Sequence, residues 1–217
     1  MNPQVSALGA ENPSTRLQAA LAAGTRPEPA LLDALVARCA VEPDFFVRDM
    51  LTWALTRLPR EITVPRLRAE LLAAPAQARS QALHTLSKIG DRDAWPAVTD
   101  ALLHDRDDEV ARAAWRAAVA LVPHGEEQSL AVTLASELGR GDRTVWWSLS
   151  QALAALGDAA EPVLSRATTH HDPAVRAHAH ATTRLLHDPD AEPGPAIEEA
   201  KRIVALGPDW RPEETTA

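Results

Sequence analysis

The chain has 217 residues and a formal charge of −8. That length suits one compact domain or a short repeat array, and the acidic balance excludes a protein coated in positive charge for nucleic acid or anionic membrane. With 4% aromatic residues against 46% apolar ones, the core has to come from helices packed through small side chains rather than from a sheet sandwich.

Cys39 is the single cysteine, which rules out a disulfide framework or a cysteine-rich zinc site and makes a reducing compartment the default. The opening residues Met1-Asn-Pro-Gln-Val-Ser carry no basic region followed by an apolar run, and no stretch is long and apolar enough to span a bilayer. The expected setting is the cytoplasm, with no membrane partner.

In chain order, residues 1–13 are polar with scattered Pro and Gly and are expected to be disordered. A short helix from Ser14 to Ala23 would cap the first of five helix pairs. That first pair joins Pro27–Cys39 to Asp44–Leu58. The second joins Val64–Leu72 to Ala76–Ile89, the third Asp93–Leu103 to Asp108–Val122, and the fourth Glu126–Leu138 to Thr144–Leu156. The fifth joins Glu161–Thr168 to the helix opened by Asp172 and Pro173. Pro65, Pro96 and Pro162 are each read as opening the first helix of a pair, where no backbone N–H is needed. A last helix, Ala196–Leu206, is expected to cap the open end. Residues 14–206 would then form one array, and 207–217 a disordered tail.

The pairs are copies of one unit. Aligned on Val47, Ala78, Val110, Val145 and Val175, they are spaced 31, 32, 35 and 30 residues apart. Three residues before these anchors stand Asp44, Pro75, Asp107, Asp142 and Asp172, so four of five copies offer an aspartate as N-cap. Self-similarity at this period indicates a solenoid in which no unit buries its apolar face alone.

The motif Asp-Xaa-Xaa-Val-Arg opening the second helix, seen in Asp44–Arg48 and Asp172–Arg176 and in part in Asp107–Val110, resembles the HEAT-repeat family. The resemblance covers residues 27–187. It implies an all-α, right-handed α-solenoid of about five HEAT-like helix pairs with terminal capping helices. It also implies an aspartate–arginine ladder between repeats, which makes Arg48, Arg79 and Arg176 structural, while Ala111 and Trp146 occupy the arginine position in two copies. The stretches 46–57 and 77–90 resemble a group of actinobacterial HEAT proteins, some of them linked to MerR-type regulators, which suggests a regulatory role.

On a wheel of 100° per residue, anchor offsets 0, +4, +7, +8 and +11 share the buried stripe, and +2, +6, +9 and +10 point away from it. The resemblance implies that these outward offsets line a concave groove. They hold Asp49, Trp53, Thr56 and Arg57; Ser80, His84, Ser87 and Lys88; Arg112, Arg116 and Val119; Trp147 and Gln151; and Arg184. Five of these are lysine or arginine and one is aspartate, a local reversal of the chain's charge.

The expected function is a non-catalytic scaffold whose basic groove receives a protein, a peptide or a small anionic ligand. Nucleic acid is not an expected partner. Trp53 and Trp147 are candidate anchors, while Trp115 and Trp146 are expected to pack between repeats. The alternative is a HEAT-like enzyme. The Trp146-Trp147 pair is similar to the aromatic lining of alkylpurine DNA glycosylases, with Asp49 the acid on that face, and a lyase-type role rests on shared repeats.

No phosphate loop, Gly-Xaa-Ser-Xaa-Gly or His-Glu-Xaa-Xaa-His is found, so no cofactor and no catalytic residue is expected. His170, His171, His178, His180 and His187 crowd the fifth pair without the spacing of a metal site, and are read as surface residues.

Overall fold

The computed structural model describes residues 3–188, all of whose regular structure is helical. The expected helix 196–206 and the tail 207–217 lie outside the described residues. The chain packs as two compact units, Met1–Val122 and Pro123–Ala217. The division falls inside the widest anchor gap, the 35 residues from Val110 to Val145.

Unit 1 contains α1 (Pro3–Leu8), α2 (Pro13–Thr25), α3 (Leu32–Cys39), α4 (Phe45–Thr56), α5 (Arg60–Glu70), α6 (Ala76–Ile89), α7 (Asp100–Leu103) and α8 (Asp108–Leu121). Unit 2 contains α9 (Glu127–Ala135), α10 (Arg143–Ala155), α11 (Glu161–Ala167) and α12 (Pro173–His187). Within unit 1 the second helix of each pair stacks on the next, α2 on α4, α4 on α6 and α6 on α8, with each outer helix packed on its own partner. Unit 2 repeats the scheme, with α10 on α12 and α9 beside α11. This is the packing of a helical-repeat solenoid.

The inner helices begin where the caps are. Asp44 Oδ1 accepts the N–H groups of Phe46 and Val47 at 2.9 and 3.1 Å, Asp107 those of Glu109 and Val110 at 3.0 and 3.2 Å, and Asp142 those of Thr144 and Val145 at 2.8 and 3.1 Å. Each of these anchors thus gives its N–H to the cap while its side chain enters the core. Val47, Ala78, Val110 and Val145 are all at most 3% exposed, and Val175 is half-buried. Gly90 ends α6 at φ 67°, a left-handed conformation that suits glycine.

Three outer elements depart from expectation. Pro65 does not open its helix; α5 starts at Arg60 after Pro59 and carries Pro65 inside it. The helix expected over 93–103 is split into a 3-10 segment, Arg92–Ala97, and α7. Pro96 has no N–H to continue an α-helical ladder, so the chain tightens, breaks at Val98 and restarts after Thr99. The N-terminus is the third. Residues 3–8 form α1, with Leu8 2% exposed, and α2 is built as a further copy of the inner helix. Its cap is Asn12, whose side chain accepts the Ser14 N–H at 2.8 Å. The described residues therefore contain six pairs.

Arg16 of α2 stands where Arg48, Arg79 and Arg176 stand in their own copies. Each of the four donates from one terminal nitrogen, Nη1, to two carbonyls five and six residues earlier. These are Glu11 and Ala10, Pro43 and Glu42, Ala74 and Ala73, and His171 and His170. These charge-assisted bonds satisfy carbonyls of the turn entering the inner helix, which that helix cannot pair. The capping aspartates are spent on their own helix N–H groups. The acid that the arginine meets in the following pair stands five residues before the anchor instead. Arg16 binds Glu42 with two bonds of 2.7 Å, and Arg79 binds Asp105 at 3.0 and 3.2 Å. At α8 the arginine position is Ala111, fully buried, and the Trp115 indole N–H donates to Leu103 O at 2.9 Å.

Close approach of α2 and α4 depends on Gly24. The Trp53 ring lies directly against it, and a Cβ at this position would overlap the ring. Gly24→Ala is expected to lower stability by about 2 kcal/mol, the usual scale for overpacking. An unchanged denaturation midpoint would show that α4 can shift without loss.

Candidate functional site

Between the inner helices of unit 1 lies a cavity of about 420 Å³. Its walls are Phe45, Arg48, Asp49 and Thr52 from α4, Ser80, Gln81, His84 and Lys88 from α6, and Glu109, Arg112, Ala113 and Arg116 from α8. Six of the eleven candidate groove residues meet here: Asp49, Ser80, His84, Lys88, Arg112 and Arg116. Trp53 and Arg57 are not among the lining residues, and Trp53 is 37% exposed against Gly24. Trp147, Gln151 and Arg184 belong to unit 2. There Gln151 and Arg184 are exposed, while Trp147 is half-buried against the cluster of Trp146, Ala177 and Ala181.

Four cationic side chains face two carboxylates in this lining. Arg48 is held on the carbonyls of Glu42 and Pro43, with its guanidinium 6.0 Å from the centre of the Phe45 ring. Arg112 pairs with Glu109 at 2.6 Å. Lys88 and Arg116 make no ion pair with a described residue. Between them sits half-buried His84, whose pKa is lowered by burial first, then by Arg116 and Lys88, with Asp49 opposing. The imidazole is therefore neutral at pH 7. Arg116 is shifted down by burial and by Arg112 but remains charged, because guanidinium titrates far above neutrality. Such crowding of like charge is unfavourable.

Ser80 is 8% exposed and its hydroxyl donates to Gln77 O, so it contributes surface rather than a free donor. Thr52 differs. It is 4% exposed, and its Oγ1 is buried without a hydrogen-bond partner.

Six lining residues fall outside the outward offsets of the helical wheel: Phe45, Arg48, Thr52, Gln81, Glu109 and Ala113. All but Phe45, which opens α4, occupy helix flanks, because a furrow between stacked helices has flanks as its walls. Phe45 and Phe46, the chain's two phenylalanines, are 66% and 70% exposed, and their adjacency is the one sequence signal for this edge.

A larger hollow of about 620 Å³ lies along α5 and α7. It is mostly apolar, and two of its three ionisable groups, Arg79 and Asp105, are paired with each other.

In unit 2 the assignment of all five histidines to the surface needs one correction. His170, His171, His180 and His187 are exposed, but His178 is fully buried and stacks on Trp146 with centroids 4.4 Å apart and planes within 3°. Its Nδ1 accepts the Gly139 N–H at 3.1 Å, so the ring proton is on Nε2, which faces Trp146 O at 3.0 Å and Ser150 Oγ at 3.1 Å. Thr182 Oγ1 donates to His178 O at 2.9 Å, which leaves the Ser150 hydroxyl to donate to Thr182 at 2.8 Å. Every polar atom of the ring is satisfied in the neutral form. Burial pushes its pKa down to about 4.

Among the described residues no group of three His, Cys, Asp or Glu could hold a metal ion. Buried Cys39 has its thiol pushed up to about 12 by burial first, so it is not a nucleophile at neutral pH. Trp146 is 3% exposed, which removes it from the open aromatic lining that the glycosylase resemblance implied. No helix among the described residues is long and apolar enough to cross a membrane.

Fold and cavity together define a helical-repeat protein. No family model matches the chain, and no curated protein matches it. Among solved structures, an engineered protein is similar over 92% of this chain and 98% of its own, with 22% identity and a TM-score of 0.46. A chain from the complex of CpcE and CpcF of phycocyanin lyase from Nostoc is similar over 94% of this chain and 92% of its own, with 20% identity and a TM-score of 0.38. Likeness at this level assigns no function.

Proposed function

We propose that the protein is a non-catalytic binding module whose unit 1 cavity receives the anionic group of an acidic peptide, a protein or a small ligand. The observation that carries this reading is the placement of Lys88 and Arg116, both without an ion-pair partner among the described residues, on facing helices around neutral His84. In a chain of charge −8, this patch favours an anion and disfavours a cation. The site narrows to Asp49, Ser80, His84, Lys88, Arg112 and Arg116, with Arg48 and Phe45 at its edge. The Asp-Xaa-Xaa-Val-Arg motif supports kinship with HEAT repeats, and buried Cys39 suits a cytoplasmic setting.

The test is fluorescence polarisation with a labelled oligoglutamate peptide. Binding should weaken as salt rises, and Arg116→Glu should reduce affinity by roughly tenfold or more, at an unchanged melting temperature. Equal affinity in the folded variant would refute the reading.

A further inference from the structure

We infer that the anion taken by this cavity is a small phosphomonoester with an apolar or aromatic body, bound with its phosphate between Lys88, Arg116 and Thr52 and its body on Phe45. This deepens the proposed binding role and rests on it.

Charge is the first argument. In the lining Arg48, Lys88, Arg112 and Arg116 stand against two carboxylates, Asp49 and Glu109, an excess of two positive charges there. A phosphomonoester carries about −1.5 to −2 at pH 7 and balances them, whereas a carboxylate supplies a single negative charge. A nucleic-acid phosphate also carries one charge, and the polymer around it would meet a chain of net charge −8.

Thr52 is the second argument, and it is independent of charge. A threonine inside a helix commonly bonds the carbonyl one turn back, in one of its two usual χ1 rotamers. Thr52 makes no such bond; its hydroxyl is buried without a partner while the residue lines the cavity. A rotamer exchange that brought the hydroxyl to the cavity wall would let a phosphate oxygen accept its proton. A buried hydroxyl left unpaired is unfavourable, so filling the cavity with an acceptor stabilises the bound state twice, through Thr52 and through the two cations.

The third argument is shape. The cavity volume of about 420 Å³ matches sites for single small molecules. Phe45, 66% exposed, gives it an aromatic wall with Phe46 set edge-on at 5.6 Å. Exposed aromatic surface beside a cationic floor fits a ligand with one charged end and one apolar end.

Calorimetric titration with phenyl phosphate, inorganic phosphate, benzoate and oligoglutamate tests this, with the His84 ring resonances locating the site. Phenyl phosphate should bind at least tenfold tighter than benzoate and tighter than inorganic phosphate, and should move the His84 signals. Arg116→Gln should cost tenfold or more and Thr52→Val several-fold, with no fall in melting temperature for Thr52→Val. Phe45→Ala should bring phenyl phosphate down to the affinity of inorganic phosphate. Phenyl phosphate binding no tighter than benzoate, or binding indifferent to both Thr52→Val and Arg116→Gln, overturns the inference. If oligoglutamate binds through Arg116 and phenyl phosphate does not, this inference falls alone; if neither binds, the proposed binding role falls with it. A phosphotyrosine peptide binding more than tenfold tighter than phenyl phosphate overturns the small-molecule assignment.

Discussion

Replacing Arg16 by methionine lowers the unfolding free energy by about 3–5 kcal/mol, the scale for stripping one partner from a buried ion pair. Glu42 has no solvent exposure and is held by Arg16 through Nε and Nη2 at 2.7 Å each, by Arg38 Nε at 2.7 Å and by the Asp44 N–H at 2.9 Å. Burial alone would raise its pKa, but Arg16, the Asp44 N–H and Arg38 together outweigh it and bring the carboxyl down to about 2. Methionine keeps the aliphatic stem of Arg16 and removes its charge and its donors. The folded-state pKa lies below the ordinary 4.5, so this contribution is complete above pH 4.5 and is lost as pH falls through about 2. Urea unfolding at pH 7 measures the loss. The double variant Arg16→Met with Glu42→Leu should recover part of it, since no buried carboxylate is then left unpaired, while Arg38, the Asp44 N–H and the Ala10 and Glu11 carbonyls still lose a partner. A single variant within about 0.5 kcal/mol of wild type would mean that Arg38 alone suffices.

The second large effect is acid sensitivity in unit 2. Burial pushes the His178 pKa from 6.5 down to about 4, against the Trp146 carbonyl, which favours the charged ring; the Gly139 N–H occupies the nitrogen that would take the proton. Below pH 6.5 the unfolded chain gains a proton that the folded one refuses. Stability therefore falls between pH 6.5 and 4 by roughly 3 kcal/mol through this one group and levels off below. Comparing the pH 7 to pH 4 loss in wild type with that in His178→Gln isolates the contribution, since the cost of the substitution itself cancels. The slope should be shallower in the variant, and an NMR titration should place the His178 midpoint near 4. A midpoint near 6.5 would contradict the burial.

The inner helices are legible in the sequence because each element of the repeat acts locally. An aspartate cap, an apolar anchor and a glycine or proline stop are all read within one helix. The outer helices are less so, since Pro65 and Pro96 sit beyond the first turn, where tertiary packing decides whether the chain tightens or breaks. The copy containing Arg16 is hidden because Asn12 replaces aspartate and Thr15 replaces valine at its anchor. Wheel offsets find the charged half of the cavity, Lys88, Arg112 and Arg116, but misplace Trp53, because one helix cannot show that its neighbour carries Gly24 at the point of contact. Likewise His178 falls on the buried stripe only once α10 supplies Trp146 and Ser150. Contacts between copies lie about 30 residues apart in sequence, and periodicity cannot say which side chains fill them.

Synthesis runs from the N-terminus, and the two clasps of unit 1 are ordered to suit it. Arg16 leaves the ribosome 26 residues ahead of Glu42, and Arg79 leads Asp105 by the same 26. The cation therefore emerges before the carboxylate that it pairs with in the folded chain. If pairs dock in the order of synthesis, neither acid enters a forming core ahead of its counter-charge.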